Sequence, residues 1–136
     1  MREILFRGKR IDNGEWVEGY VYSFPPVCRI RRWLPVFKRY GDVDVNPSTV
    51  GQYTGLTDKN GKRIFEGDIV EKDGVVMYVV EFRGSWSLWD YDGNEGFLRN
   101  WCSSHYLNGE DVGGCVVIGN VYDNYELLKQ GDADGV

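Results

Sequence analysis

Three cysteines and the single histidine are the side chains of this 136-residue chain best suited to bind a metal ion. Thiolate and imidazole groups are the usual ligands of a tetrahedral zinc site. The spacing Cys102-x-x-His105 suits two ligands of one zinc ion, but no Cys-x-x-Cys pair accompanies it and Cys28 is distant in sequence. Cys115 begins an apolar segment, where a thiol behaves as a small hydrophobe. We also do not predict that Cys102 and His105 form a catalytic nucleophile and its base, because residues three apart in a loop need not face each other.

Two Asp-rich turns have part of the spacing of a calcium-binding loop. In the turn 58–61, DKNG, the glycine would take the sixth loop position, which puts Leu56 and Gly67 where the first and last carboxylates are needed. In the turn that begins at Asp90, Glu95 stands where the glycine is needed. Both segments fit plain turns. We therefore predict no metal site and no cofactor.

Patterns that would indicate an enzyme are missing from the sequence. It contains no G-x-x-x-x-G-K-[ST] loop for phosphates and none of the long helical periodicity that a Rossmann fold requires. Acids such as Glu66, Asp68 and Asp90 are present, but no pair of them stands out as a glycosidase acid and nucleophile. We predict that the protein is not an enzyme and has no catalytic residues.

The cations of residues 29–39 offer a different chemistry, because aromatic side chains are interleaved with them. Cationic groups that hold phosphates, beside rings that stack on bases, are typical of proteins that bind single-stranded nucleic acid. The alternative is a solvated segment whose charges keep an edge strand from aggregating, and the net charge of −5 favours it. Asp42 and Asp44 follow closely and dilute the positive charge. The candidate nucleic-acid-binding residues are Arg29, Arg31, Arg32, Trp33, Lys38 and Arg39.

Short strands joined by tight turns are the elements that must position these residues. Hydrophobic residues are 42% of the chain, aromatic residues are 15%, and there are 18 glycines. Alternation in residues 3–11 and 15–24, around the turn 12–14, DNG, predicts a hairpin. The DG pair at 73–74 predicts a second hairpin, whose nearly continuous apolar arm at 75–82 should be covered on both faces. Pro35 should confine residues 27–48 to a sheet edge or an irregular excursion.

Residues 49–71 are the most densely patterned stretch, TVGQYTGLTDKNGKRIFEGDIVE. A strand leads into the turn 58–61, and Gly67 then supplies a positive φ that Asp68 can fix by accepting hydrogen bonds from nearby amides. Residues 97–101 fit either a strand or a short helix. Asn124 should cap a short helical turn that extends to Lys129. Residues 131–136 are predicted to be a disordered tail.

These elements predict an all-β, mainly β protein with at most one or two short helices. We expect a single domain over residues 1–130, because the length is typical of one domain and no linker interrupts the chain. Its form should be either a strongly bent antiparallel sheet or a barrel-like sheet with SH3-like hairpins.

Three segments, in this order and spacing, resemble the YopX family: RGKRIDNGEWVEGYVY, QYTGLTDKNGKRIFEGDIVE and VIGNVYDNYELL. The similarity covers residues 2–128 or so. Members of this family are small proteins carried by bacteriophages and prophages, mostly of low-GC Gram-positive bacteria. The resemblance implies phage origin and a mostly β fold with a partly barrel-like sheet. It implies no activity, and residues 27–48 match no pattern of the family.

Two functions from different classes follow from these observations. The first is a non-catalytic binding module, in which some of the five Trp and nine Tyr residues engage a protein partner from host or phage, or a second copy of the chain. The same aromatic residues could instead fill a β core. The alternative function is single-stranded nucleic-acid binding through residues 29–39.

The location expected from the sequence is the cytoplasm of the bacterial host cell. No apolar run approaches the length that spans a bilayer, so we predict no membrane partner. The first ten residues, MREILFRGKR, have charges on both sides of a three-residue apolar core and lack the pattern of a signal peptide. An odd number of widely spaced cysteines favours reduced thiols.

Overall fold

The computed structural model describes residues 5–23, 28–82, 84–98, 106–107, 110–111 and 114–133. These residues form thirteen strands, a 3₁₀ turn and an α-helix, which confirms the mainly β class. The chain packs as two compact units, Met1–Tyr53 and Thr54–Val136. The extent of the single domain, residues 1–130, stays a prediction.

The strands of the first unit are β1 (Phe6–Lys9), β2 (Trp16–Ser23), β3 (Cys28–Leu34) and β4 (Arg39–Val45), followed by the 3₁₀ turn Pro47–Thr49. Strand β5 (Gly51–Thr57) begins in the first unit and ends in the second. The second unit continues with β6 (Arg63–Phe65), β7 (Asp68–Lys72), β8 (Val75–Phe82), β9 (Ser85–Trp89), β10 (Glu95–Phe97), β11 (Tyr106–Leu107), β12 (Glu110–Asp111), β13 (Val116–Asn120) and α1 (Glu126–Ala133).

Two antiparallel sheets contain most of these strands. Their strand orders are β4-β3-β2-β1-β5-β6 and β10-β9-β8-β7-β13, while β11 and β12 pair with each other. An isolated bridge also joins Arg10, just past β1, to Val45 at the end of β4. The described residues form two antiparallel sheets and no closed barrel, so of the two predicted forms the antiparallel sheet is supported, and its strong bend stays a prediction.

The core of the first unit lies on one face of β2, β3 and β4. Val17, Cys28, Ile30 and Val45 are buried there. The opposite face of β2 carries Trp16, Glu18, Tyr20 and Tyr22, as the alternation in the sequence predicts.

The core of the second unit is larger and lies mainly on β6 to β9. Its buried members are Ile64, Val70, Met77, Val79, Leu88, Leu98 and Cys115. Met77 and Val79 on one face of β8 are buried, although Val75 at the start of that face is exposed, whereas Val76, Tyr78 and Val80 on the other face are half-buried. The prediction that β8 is covered on both faces is therefore only partly met. It applied a rule for parallel sheets to an antiparallel sheet, which commonly buries one face.

The turns of residues 58–68 have the structural roles that the sequence predicts. The Asp58 carboxylate accepts hydrogen bonds from the amides of Asn60 and Lys62 on one oxygen and from the amide of Val117 on the other, at 2.9 to 3.0 Å. Gly67 has a φ of +90°. Asp68 is buried, and its carboxylate accepts a hydrogen bond of 2.8 Å from the Phe65 amide.

The C-terminal helix differs from its prediction in two ways. It runs to Ala133, so residues 131–133 of the predicted tail are helical, whereas residues 134–136 lie outside the described residues. The Asn124 side chain is not the predicted helix cap, because its oxygen accepts from the Asn120 amide. The choice between strand and helix for residues 97–101 lies largely outside the described residues, since β10 ends at Phe97 and residues 99–105 are not described.

The cysteines are only partly in the predicted state. Cys28 is a free, buried thiol, and burial raises its pKa. Cys115 is fully buried and disulfide-bonded, so the prediction of reduced thiols is wrong for this residue. The Cys115 sulfur is therefore part of a disulfide bond, and the residue belongs to the core of the second unit.

Candidate functional site

The predicted basic segment forms a hairpin of β3 and β4 at the edge of the first sheet. Residues 35–38 make the connecting turn, in which the Phe37 amide donates to the Leu34 carbonyl at 3.2 Å and Lys38 has a φ of +50°. Pro35 can stand in this turn because it has no amide hydrogen to place in a strand ladder. Strand β4 is the outermost strand of the sheet in the described residues, as the edge prediction requires.

Cross-strand register decides which side chains of this hairpin share a face. Arg29 lies opposite Asp44, Arg31 opposite Asp42, and Trp33 opposite Tyr40. Successive side chains alternate between the faces of a sheet, so these residues project on the side away from the buried Ile30. Neighbouring β2 adds two exposed tyrosines to that side. We call this surface the hairpin face, and it consists of Tyr20, Tyr22, Arg29, Arg31, Trp33, Tyr40, Asp42 and Asp44.

Ion pairs neutralise the arginines of the hairpin face. The Nε of Arg29 lies 2.8 Å from Oδ1 of Asp44, and the Nε of Arg31 lies 2.9 Å from Oδ1 of Asp42. The Tyr22 hydroxyl donates to Oδ2 of Asp42 at 2.8 Å, and the Arg31 guanidinium lies 4.5 Å from the centre of the Tyr22 ring. Hydrogen bonds from Arg31 and Tyr22 hold the pKa of the Asp42 carboxyl below its ordinary value.

The six predicted nucleic-acid-binding residues do not form one surface. Arg29, Arg31 and Trp33 belong to the hairpin face. Arg32 projects from the opposite side of β3, where its Nε is buried without a hydrogen-bond partner among the described residues. The other two, Lys38 and Arg39, lie at the turn, and the Arg39 guanidinium is 5.5 Å from the centre of the Phe37 ring.

The end of the hairpin carries an apolar patch that the candidate list only partly included. The exposed fractions are 51% for Trp33, 89% for Val36, 66% for Phe37 and 57% for Tyr40. The rings of Trp33 and Tyr40 meet edge to face, with centroids 5.1 Å apart. We call these four residues the hairpin tip. Contiguous exposed apolar side chains of this size are typical of interaction surfaces.

The signal for this arrangement was present in the sequence. A hairpin centred on the turn 35–38 pairs positions that are equally distant from that turn. Position 33 then lies opposite 40, position 31 opposite 42 and position 29 opposite 44, so arginine meets aspartate twice. The aspartates that seemed only to dilute the basic segment are therefore its cross-strand partners.

Two shallow depressions lie beside the hairpin, and both are lined in part by Arg10 and Ile11. One, of about 300 Å³, is lined by Arg10, Ile11, Asp12, Asp42, Val43 and Asp44. The other, of about 450 Å³, is lined by Lys9, Arg10, Ile11, Gly14, Asn46 and Pro47. Each carboxylate that lines the first depression is paired with an arginine. Asp12 lies 2.7 Å from the Arg10 guanidinium, and Asp42 and Asp44 are held by Arg31 and Arg29 as described above.

No metal site is formed by the part of the chain that the structure describes, which contains no group of three His, Cys, Asp or Glu side chains placed to hold an ion. Two of the four conceivable zinc ligands, Cys102 and His105, lie outside that part. The described residues also include no helix with the length and apolar character needed to cross a bilayer.

These features define a mainly β protein of two open antiparallel sheets with an apolar edge hairpin. The chain belongs to the YopX family: the family model described as YopX protein matches residues 5–129, which confirms the resemblance seen in the sequence. No curated protein matches the chain in sequence.

Proposed function

We propose that this protein is a phage-encoded, non-catalytic binding module that engages a protein partner through the hairpin tip, in the cytoplasm of the bacterial host. The observation that carries the proposal is the exposure of Trp33, Val36, Phe37 and Tyr40 on one edge hairpin. Burying apolar surface stabilises a complex by about 25 cal/mol per Å², and Trp and Tyr are enriched among the residues that dominate binding energy.

The geometry of the hairpin face supports a partner that brings apolar groups to a fixed surface. Arg31, Tyr22 and Asp42 are joined by hydrogen bonds, so these side chains have already lost much of their rotational freedom. A partner that binds beside them has less side-chain entropy to remove, which improves affinity without further contacts.

The charges of the hairpin face favour a protein partner over a nucleic acid. A phosphate that approached Arg29 or Arg31 would also meet the carboxylates of Asp44 and Asp42 within hydrogen-bond distance of those arginines. Like charges at such short range repel, and the net charge of the chain is −5. Single-stranded nucleic-acid binding therefore remains the alternative.

Quantitative affinity capture from host cells tests the proposal. The full chain serves as bait, as wild type and with Val36→Ser and Phe37→Ser combined. We expect the double variant to retain its partner at least about tenfold less well, because it removes two exposed side chains from the centre of the contact. The matched control combines Val75→Ser and Tyr91→Ser, at positions in the second unit that are 50% and 47% exposed, and should bind like the wild type.

Equal capture by the tip variant and the wild type would contradict the proposal. Retention of a single-stranded oligonucleotide at low salt, lost steeply as salt rises and abolished by Arg29→Glu with Arg31→Glu, would establish the alternative.

A further inference from the structure

We propose that the protein partner adds an extended segment as a further strand beside β4, and that this segment carries an acidic side chain opposite Gly41. This inference rests on the proposed function and specifies the chemistry of its partner. It follows from three features of one sheet edge: the free backbone groups of β4, the positive charge on the side opposite to the hairpin face, which we call the underside, and the aromatic rings of the hairpin face.

The outer side of β4 is paired at its C-terminal end only, where residues 9–11 lie beside it. There the Ile11 amide donates to the Asp44 carbonyl at 3.1 Å, so the backbone groups of Asp44 point outward. Successive residues of an antiparallel strand direct these groups to opposite sides, so those of Tyr40 and Asp42 also point outward. Among the described residues no strand pairs with Tyr40 or Asp42 on that side.

Residues 39–43 are therefore a short free edge. It begins where β4 begins and ends where residues 9–11 occupy the outer side. A depression of about 300 Å³ lies at this second boundary, lined in part by Ile11 and by residues 42–44. An extended segment antiparallel to β4, as β3 is, can exchange backbone hydrogen bonds with the free stretch. Addition of a strand to a free sheet edge is a common way for proteins to bind extended peptides.

The underside of this edge is positively charged. Arg32 of β3 lies directly opposite Gly41, and Arg39 precedes Gly41 by two residues on the same side of β4. Arg32 is half-buried, and its Nε is buried with no hydrogen-bond partner among the described residues. The ion pairs formed by the described residues include neither of these two arginines. A buried donor without an acceptor costs free energy, and a carboxylate is the acceptor that a guanidinium binds most strongly.

Strand register places one side chain of the partner near Arg32. When Tyr40 and Asp42 bond the partner's backbone, the partner residue between them lies opposite Gly41 and projects on the underside. It is two strand spacings, about 10 Å, from Arg32, a distance that an extended glutamate and an arginine span together. The Leu34 side chain lies over Gly41, since an added Cβ would be 2.5 Å from Leu34 Cδ1. The carbon chain of the glutamate can therefore cross an apolar surface and present its carboxylate to Arg32.

The adjacent residues of the partner strand project on the hairpin face. The one opposite Tyr40 lies beside the Tyr40 ring, which meets the Trp33 ring edge to face with centroids 5.1 Å apart. Both rings are exposed, so an apolar side chain at this position buries apolar surface against them. The expected partner is thus an extended segment in which an acidic residue stands next to an apolar one.

Titration of the full-length protein with capped pentapeptides tests the inference. The probe contains serine, valine, glutamate, valine and serine in that order, and two further peptides have glutamine or lysine in place of the glutamate. We expect the glutamate peptide to bind about tenfold more tightly than the glutamine peptide, because only the glutamate brings a charge to Arg32. It should also protect the Tyr40 and Asp42 amides from hydrogen exchange. The lysine peptide should bind more weakly than either.

Variants of Arg32 test the source of this preference. Arg32→Gln should bind the glutamate and glutamine peptides equally, and Arg32→Glu should prefer the lysine peptide, because the selecting charge is removed or reversed. Lys59→Gln, at an exposed position in the second unit, is the matched control and should keep the wild-type preference. If a variant at Arg32 does not fold, the preference of the wild type and the protection of its two amides decide the question.

A wild type that binds none of the peptides, or binds all three equally, would overturn the inference. So would binding that leaves the Tyr40 and Asp42 amides unprotected, or protection of those amides by a second copy of the chain as the protein concentration rises without peptide. In each of these cases, capture of a host protein that depends on Val36 and Phe37 would leave the proposed function standing. Capture that does not depend on them would overturn the proposed function as well.

Discussion

Gly67 shows at the scale of one residue why the most patterned stretch of the sequence is structural. Its φ of +90° lies in the region that side-chain-bearing residues rarely adopt. Its amide donates to the Val79 carbonyl at 2.9 Å, and its carbonyl accepts from the Val121 amide at 2.8 Å. An added Cβ would lie 3.1 Å from a ring carbon of Tyr122. Backbone conformation and space therefore both require glycine.

Gly67→Val should lower the free energy of unfolding by about 1–3 kcal/mol through backbone strain and crowding. Chemical denaturation of the purified variant measures it. Gly74→Val is the matched control, because Gly74 has a φ of +83° but no atom within 4 Å of its added Cβ, and it should cost less. A Gly67→Val variant as stable as the wild type would refute this account of the turn.

Sheet pairing in the first unit depends on close backbone approach at the scale of the element. Gly19 of β2 faces the backbone of β3, and an added Cβ would overlap the carbonyl oxygen of Arg31. That carbonyl is backbone and has little room to move without breaking the β2–β3 pairing. The same pairing holds the hairpin of β3 and β4 in the sheet, so Gly19 supports the candidate site from its underside.

Gly19→Ala should therefore destabilise the protein by about 1–3 kcal/mol, the usual range for forcing extra volume into a packed position. Urea unfolding reports this change. Gly96→Ala is the matched strand glycine, whose added Cβ would make only ordinary contacts at 4.0 Å, and it should stay within about 0.5 kcal/mol of wild type. If the two variants have the same free energy of unfolding, close packing is not the reason that position 19 requires glycine.

Local turn chemistry made several elements predictable from the sequence. The DNG and DG turns correctly placed the hairpins of β1 with β2 and of β7 with β8, because Asn, Asp and Gly accept the backbone conformations that tight turns need. The Asn124 cap failed because its side-chain oxygen accepts instead from the Asn120 amide, four residues earlier in the chain. Asn120 itself accepts from the amides of Tyr122 and Asp123, which is a common turn pattern for Asn that the predictions for this segment did not include.

The candidate site was predictable in position but less so in chemistry. Pro35 predicted a sheet edge or an irregular excursion, and β4 lies at the edge of its sheet in the described residues. Which cations are neutralised depends on cross-strand register, and a list of residue types does not contain the register. Once β3 and β4 are aligned about their turn, Arg29 and Arg31 each meet an aspartate.

For the whole molecule, the exposed hairpin tip supports the central proposal that the protein binds another protein at the edge of its first sheet. Hydroxyl-radical footprinting of the full chain, alone and in the complex recovered from host cells, tests it most directly. The account predicts that Trp33, Phe37 and Tyr40 become protected in the complex, while Tyr91 and Tyr125, which are 47% and 49% exposed, keep their reactivity. Protection of Tyr91 and Tyr125 with no change at the hairpin tip would contradict it.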